Sequence, residues 1–414
     1  MEEHSTDNRA TEDRNLYRLP INRRMIDYKK FCIYPFNQIV VRAHGRLSPC
    51  CHKIGDENLS QMTPEEYWTG KTMSNLRQQM LSGNDVTECQ WCYDNENATG
   101  HSMRMDSLRM FDINENTDIG QRIKEWEGAT FPERFEMHVG NLCNLKCLTC
   151  NADDSSAFHA ENASLGIKLG IIYELPNLVS AKQDFDNVLI NLNNGKIKHL
   201  DLRGGESLLV PEVCELLSCL DDSVYQNVTL RLQTNTTYLS TEWKKIMSRF
   251  QRIKVSCSID AIGEQLTYIR FPAKWKDIQN NLLWYRQQPN IETNVTITVS
   301  NLNLLCIDQL IRWLLGWGIN FNLNPVATPA IFQTANMPGE LLDLTKQRLE
   351  PLIHMLYSHD KANLDVLQKL IDNKPLNNEK LWKDFCMYID LRDAHRNNRI
   401  FNAMPEFEKF WHGL

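Results

Sequence analysis

The chain has no run of eighteen apolar residues, which excludes a helical membrane span. Its first fifteen residues are polar and charged with no apolar core, so neither a signal peptide nor an anchor is expected, and 1–17 reads as a disordered tail. There is no long basic run and the net charge is −7, so a nucleic-acid partner is disfavoured and no membrane partner is expected. Internal repeats are missing, and the only compositional bias is a general richness in Asn. The 414 residues are 42% hydrophobic, enough for two or three domains with a core each.

Cysteine is abundant by contrast. Thirteen cysteines in a long chain without a leader argue against a disulfide scaffold. A reducing, cytoplasmic compartment with thiolates assigned to metal is the expectation. Eight of the thirteen fall into three groups: Cys32/Cys50/Cys51, Cys89/Cys92 and Cys143/Cys147/Cys150. The others (Cys214, Cys219, Cys257, Cys306 and Cys386) are scattered among apolar residues and read as small buried hydrophobes.

The third group is the most informative, because Cys143, Cys147 and Cys150 are spaced C-x3-C-x2-C. Three thiolates this close can hold three irons of a cubane and leave the fourth iron open to a small molecule, whereas a structural site closes its coordination shell. A zinc knuckle or an accidental grouping stands beside this reading. The nearest candidates for a fourth zinc ligand, His138 and His159, are not at the usual finger spacing.

From about residue 131, strand-like and helix-like segments alternate. Strands are expected at 135–139, 197–203, 228–234, 253–260, 294–300 and 319–326, with helices at 211–220, 241–249 and 304–317. This βα repetition predicts an α/β fold with a parallel sheet, as a curved, partial (βα)6 barrel. Ligands in such folds sit at the carboxyl ends of the strands. The cysteine group, Gly204-Gly205-Glu206, Asn235 and Ser258/Asp260 all fall at such ends. The earlier part reads as a small α+β domain over 18–97 with a β-hairpin turning at His44-Gly45, followed by a linker over 98–130. The barrel is assigned 131–335, and a helical region 336–414 follows. That tail could complete the barrel, cover its mouth or dock a partner.

Residues 131–326 resemble a radical S-adenosylmethionine (SAM) core. The C-x3-C-x2-C on the first strand–helix loop, the Gly204-Gly205-Glu206 after the second strand and the Ser258-Ile-Asp260…Arg270 after the fourth match that superfamily in order and position. The N-terminal segment resembles a twitch subdomain, the shortened form of the SPASM domain: Cys32, then Gly45-x4-Cys50, then Cys89-x2-Cys92. Two departures stand out. The twitch-like segment precedes the barrel, where related proteins carry it afterwards, and Thr149 occupies a position that is commonly aromatic.

The resemblance implies two [4Fe–4S] clusters and SAM as cofactors. Cys143, Cys147 and Cys150 would hold the SAM-binding cluster. Cys32, Cys50, Cys89 and Cys92 would close an auxiliary cluster, with Cys51 able to replace Cys50 and a four-cysteine zinc ribbon as the rival. Gly204 and Gly205 would admit the methionine moiety close to the backbone, and Glu206 would orient the turn or the amino group. Arg270 would pair with the SAM carboxylate, and Asn235, Ser258 and Asp260 would hydrogen-bond the ribose or methionine. The implied activity is reductive cleavage of SAM and abstraction of a hydrogen atom from a substrate carbon, with a peptide as the leading substrate. The partners would be that substrate and a reductant protein such as flavodoxin or ferredoxin. The alternatives are a carbohydrate or nucleotide small molecule, and a non-catalytic metal-binding adaptor. His44, His52, His101 and His138 are candidate proton donors, against the commoner solvated or packed histidine.

Overall fold

The computed structural model describes residues 26–42, 45–52, 57–99, 102–124, 128–167, 181–356, 361–372, 375 and 378–411. The 1–17 tail, His44 and His101 lie outside them. Among the described residues there are eight strands: β1 Gln38–Val41, β2 Leu47–Ser48, β3 Arg134–His138, β4 His199–Arg203, β5 Thr229–Thr234, β6 Arg252–Ser258, β7 Ile291–Val299 and β8 Asn320–Pro325. The chain divides into two compact units. The first holds Met1–His138, Leu175–Asp201 and Leu220–Val228; the second holds Val139–Glu174, Leu202–Cys219 and Thr229–Leu414, so the boundary falls within β4.

In the first unit, β1 runs antiparallel to β2 with Val40 opposite Ser48. It runs parallel to β3, from Gln38 beside Arg134 to Val41 beside Met137. All four residues of β1 are buried, as expected of a strand with a neighbour on each side. The helix Pro64–Thr69 starts on a capping box formed by Thr63 and Glu66. Helix Lys71–Leu81 buries Met73, Leu76, Met80 and Leu81, one face at helical spacing. That face packs on Phe31, Ile33, Tyr34 and Phe36. Leu108, Ile113, Ile119 and Ile123, from the stretch read as a linker, belong to the same core.

In the second unit, β5, β6, β7 and β8 pair in that order and all run parallel. Helices Thr241–Arg249, Trp275–Gln287 and Ile307–Trp317 connect them in sequence. Along β6, Ile253, Val255 and Cys257 point to the core and alternate with more exposed residues. Ile307, Leu310, Ile311 and Leu314 form the buried stripe of their helix, and Gly318 ends it with φ +60°. Helices Gly339–Leu356, Lys361–Ile371 and Glu379–Arg396 follow β8. Trp382 and Phe385 of the last pack with Phe407 and Trp411. The expected α/β class and the mostly parallel strand–helix order are thus what the chain adopts. No helix among the described residues is long and apolar enough to cross a membrane.

Candidate functional site

In the second unit the backbone after β4 packs directly on the backbone that leads into the cysteine loop. Val139 N donates to Arg203 O at 2.8 Å, Gly205 N to Gly140 O at 3.0 Å and Glu206 N to Leu142 O at 2.7 Å. The glycines are what allow this approach. A Cβ on Gly204, whose φ is +144°, would lie 2.6 Å from Gly140 O, and one on Gly205 would lie 2.5 Å from Leu142 O. The pair therefore fastens two loops together, a use that sequence spacing does not reveal.

Glu206 completes the junction. Its buried carboxylate accepts from Asn235 N at 2.6 Å and from Leu208 N at 3.3 Å. Burial pushes this carboxyl up to about 7, with the donated hydrogen bonds acting against the shift. Asn235, at the end of β5, reaches the cysteine loop with its side chain. Nδ2 donates to Asn144 Oδ1 at 2.9 Å and lies 3.8 Å from Cys143 Sγ. Leu145 N also points at Cys143 Sγ, at 3.5 Å.

Arg270 sits on the other side of the loop. Its Nε is 2.8 Å from Asp260 Oδ2, and its Nη1 is 4.0 Å from Cys147 Sγ. Asp260 is fixed in turn by Thr298 N at 2.8 Å. Ser258 is half-buried at the end of β6. Burial pushes the Cys147 thiol up to about 11, opposed by Arg270 and reinforced by Asp260 and Cys143. Burial also raises Cys150, and the charges of Cys147 and Cys143 add to it. Ionisation of one of these thiols is therefore opposed by that of its loop neighbours. Iron supplies the positive charge such a donor set needs, so the residues present fit a cluster.

The last long helix holds the cysteine loop from outside. Arg396 Nη2 donates to Lys146 O at 2.7 Å, and Tyr388 OH donates to Leu148 O at 3.3 Å. Arg392 and Arg396 both pair with the fully buried Glu161, each at 2.7 Å. Nothing in the sequence pattern announces these contacts, because the partners are far apart in the chain.

In the first unit, Cys32, Cys50, Cys89 and Cys92 lie in and around one hydrophobic core without forming a closed ligand set. Cys32 belongs to the hydrophobic core, with Cys50 and Cys89 packed against it, and Cys92 is buried. Burial pushes the Cys32 thiol up to about 12, and Cys50 and Cys92 add to the shift. Burial raises Cys89 as well, helped by Cys32, Cys50 and Cys92. Cys51 bears instead on Tyr34. The backbone around Cys32 is anchored by Arg104, whose Nη1 donates to Phe31 O at 2.9 Å while its Nε donates to Glu96 at 2.8 Å. Tyr93 OH donates to Lys30 O at 3.1 Å, tying in the helix that carries Cys92.

His52 stacks on the exposed Trp91, ring centroids 3.6 Å apart. On β3, His138 Nε2 is 3.2 Å from Glu136 Oε1, and Arg134 makes a two-pronged pair with Asp201 at 2.9 Å. Among the described residues, no group of three or more His, Cys, Asp or Glu is gathered for a single metal ion. The case for clusters therefore rests on donor chemistry and family likeness, not on a preformed metal geometry.

Residues 32–93 match the family model described as SPASM, an iron–sulfur cluster-binding domain. The matched residues take in β1, β2 and the helices as far as Cys92. An uncharacterised protein of Methanocaldococcus jannaschii is 26% identical over 189 residues, which is 44% of this chain and 58% of that protein, less than two thirds of its length. Among solved structures, the chain is similar to anSMEcpe with bound AdoMet at 17% identity, covering 53% of this chain and 58% of that one, TM-score 0.37. It is also similar to Streptococcus suis SuiB bound to S-adenosylmethionine, at 13% identity, covering 68% and 63%, TM-score 0.40.

Proposed function

We propose that the chain is a radical SAM enzyme that binds two [4Fe–4S] clusters and acts on a peptide. The observation that carries this reading is the junction of the cysteine loop with the Gly204-Gly205-Glu206 turn, joined through Asn235 to Cys143. Cys143, Cys147 and Cys150 would hold the cluster that binds SAM. Cys32, Cys50, Cys89 and Cys92 hold the other. Cys50 is preferred to Cys51 because it packs, with Cys89, against the core that contains Cys32.

A cluster bound by Cys143, Cys147 and Cys150 would supply the electron for reductive cleavage of SAM, the chemistry that leads to hydrogen abstraction from a substrate carbon. The chain's own residues bind and orient. Arg270, braced by Asp260, offers its remaining N–H groups to the SAM carboxylate. Glu206 keeps the glycine turn and Asn235 in register. Asn235 and Leu145 direct N–H groups at Cys143 Sγ, the kind of hydrogen bond that tunes a cluster's potential. The peptide assignment follows from the motif resemblance. The electron comes from a flavodoxin- or ferredoxin-like protein.

Anaerobic reconstitution is expected to give about seven to eight irons per chain. Dithionite with SAM is then expected to yield 5′-deoxyadenosine. Iron-replete protein that makes none would overturn the proposal.

A further inference from the structure

The two residues flanking Cys147 have both of their backbone groups tied. Lys146 N donates to Phe271 O at 2.6 Å, and Leu148 N donates to Ile269 O at 2.9 Å. Their carbonyls turn the other way and are taken by Arg396 and Tyr388 of the helix Glu379–Arg396. Arg396 is itself locked in place. Its Nε donates to Glu161 Oε1 at 2.9 Å, its guanidinium lies 5.0 Å from the centre of the Phe271 ring, and its side chain is 3% exposed.

We infer that Arg396 is a positioning residue for the SAM-binding cluster: it holds the Lys146 carbonyl and places a fixed positive charge beside Cys147. This rests on the radical SAM reading above. The hydrogen bond of Arg396 to the carbonyl of Lys146, the residue before Cys147, is what brings that charge to the cysteine loop. A buried cation near a cluster favours its reduced, more negative state, so Arg396 raises the cluster's potential. Lysine would keep the charge and lose the planar fork that serves Glu161 and Lys146 together. Tyr388 contributes position without charge.

The test uses the full chain with R396Q, R396K and Y388F. One readout is amide exchange of residues 145–150 in metal-free protein. The other is the midpoint potential of the cluster whose EPR signal responds to SAM. R396Q is expected to speed exchange about tenfold or more, from loss of a charged hydrogen bond, and to shift the potential to a more negative value. R396K is expected to recover the potential and keep the faster exchange. Y388F is expected to speed exchange at the wild-type potential. Wild-type protein that takes up no iron overturns the radical SAM reading, and this inference with it. Wild-type protein that cleaves SAM, beside an R396Q variant with unchanged potential and exchange, overturns the inference alone. If R396Q does not fold, R396K with wild-type exchange overturns it.

Discussion

Arg270 and Asp260 meet at 2.8 Å through Nε and Oδ2, and the same guanidinium reaches to 4.0 Å from Cys147 Sγ. The carboxylate takes one edge of the fork and leaves the other edge toward the thiol. Asp260 thus acts as the brace that aims Arg270. Removing either partner leaves the other charge buried, a loss of about 3–5 kcal/mol for such pairs. D260N is expected to lose stability on this scale in denaturant unfolding of the metal-free protein. R270K is expected to raise the KM for SAM at least tenfold in the 5′-deoxyadenosine assay while iron content stays at the wild-type level.

A methyl group at Gly205 has nowhere to go, since it would stand 2.5 Å from one carbonyl oxygen and 2.6 Å from the next. G205A is expected to cost about 3 kcal/mol, the upper end of ordinary overpacking, because the obstruction is backbone and cannot swing aside. Urea unfolding of the apoprotein measures it. A G205A variant as stable as wild type would show that the two loops can part without penalty.

Burial alone would raise the Glu161 carboxyl, but Arg396 and Arg392 outweigh it and hold it below its ordinary 4.5. A depressed carboxyl adds stability above the unfolded value and loses it as pH falls through the folded one. The gap in unfolding free energy between wild type and E161Q is expected to be about 3–5 kcal/mol at pH 7. It is expected to shrink as pH drops below about 4.5. A gap that is flat between pH 7 and pH 3.5 would remove the ion pairs from the account.

The auxiliary ligands separate by iron count. C50A, C89A or C92A is expected to lose about four irons per chain and keep the SAM-responsive cluster. C51A is expected to keep full iron. C143A, C147A or C150A is expected to abolish SAM cleavage outright. Loss of iron in C51A together with full iron in C50A would reverse the choice between the neighbours.

Much of the second unit is legible in the sequence. Ile253, Val255 and Cys257 alternate along β6, and Ile307, Leu310, Ile311 and Leu314 recur at helical spacing, so local pattern suffices to place strands and helices there. The cysteine loop and the Gly-Gly-Glu turn are equally visible as motifs. What the two glycines pack against is not, because Gly140 and Leu142 lie more than sixty residues earlier in the chain. Asp260 and Arg270 stand out individually, yet their pairing depends on a turn no short window describes. The helix Glu379–Arg396 hides its role most fully. Nothing in the sequence singles out its arginines, and only the fold shows Arg392 buried against Glu161. In the first unit, the polar stretch after residue 95 reads as connection, while Leu108, Ile113, Ile119 and Ile123 are spaced too widely to announce a core.

Arg396 and Lys146 are separated by 250 positions. A ribosome adding about 5–20 residues per second needs roughly 12 to 50 seconds to cover that distance. During synthesis the thiols of Cys143, Cys147 and Cys150 therefore exist as an unbraced segment long before their outer wall is made. On the proposed function, iron delivered in that interval would meet a pliable site, and iron delivered after chain release a rigid one.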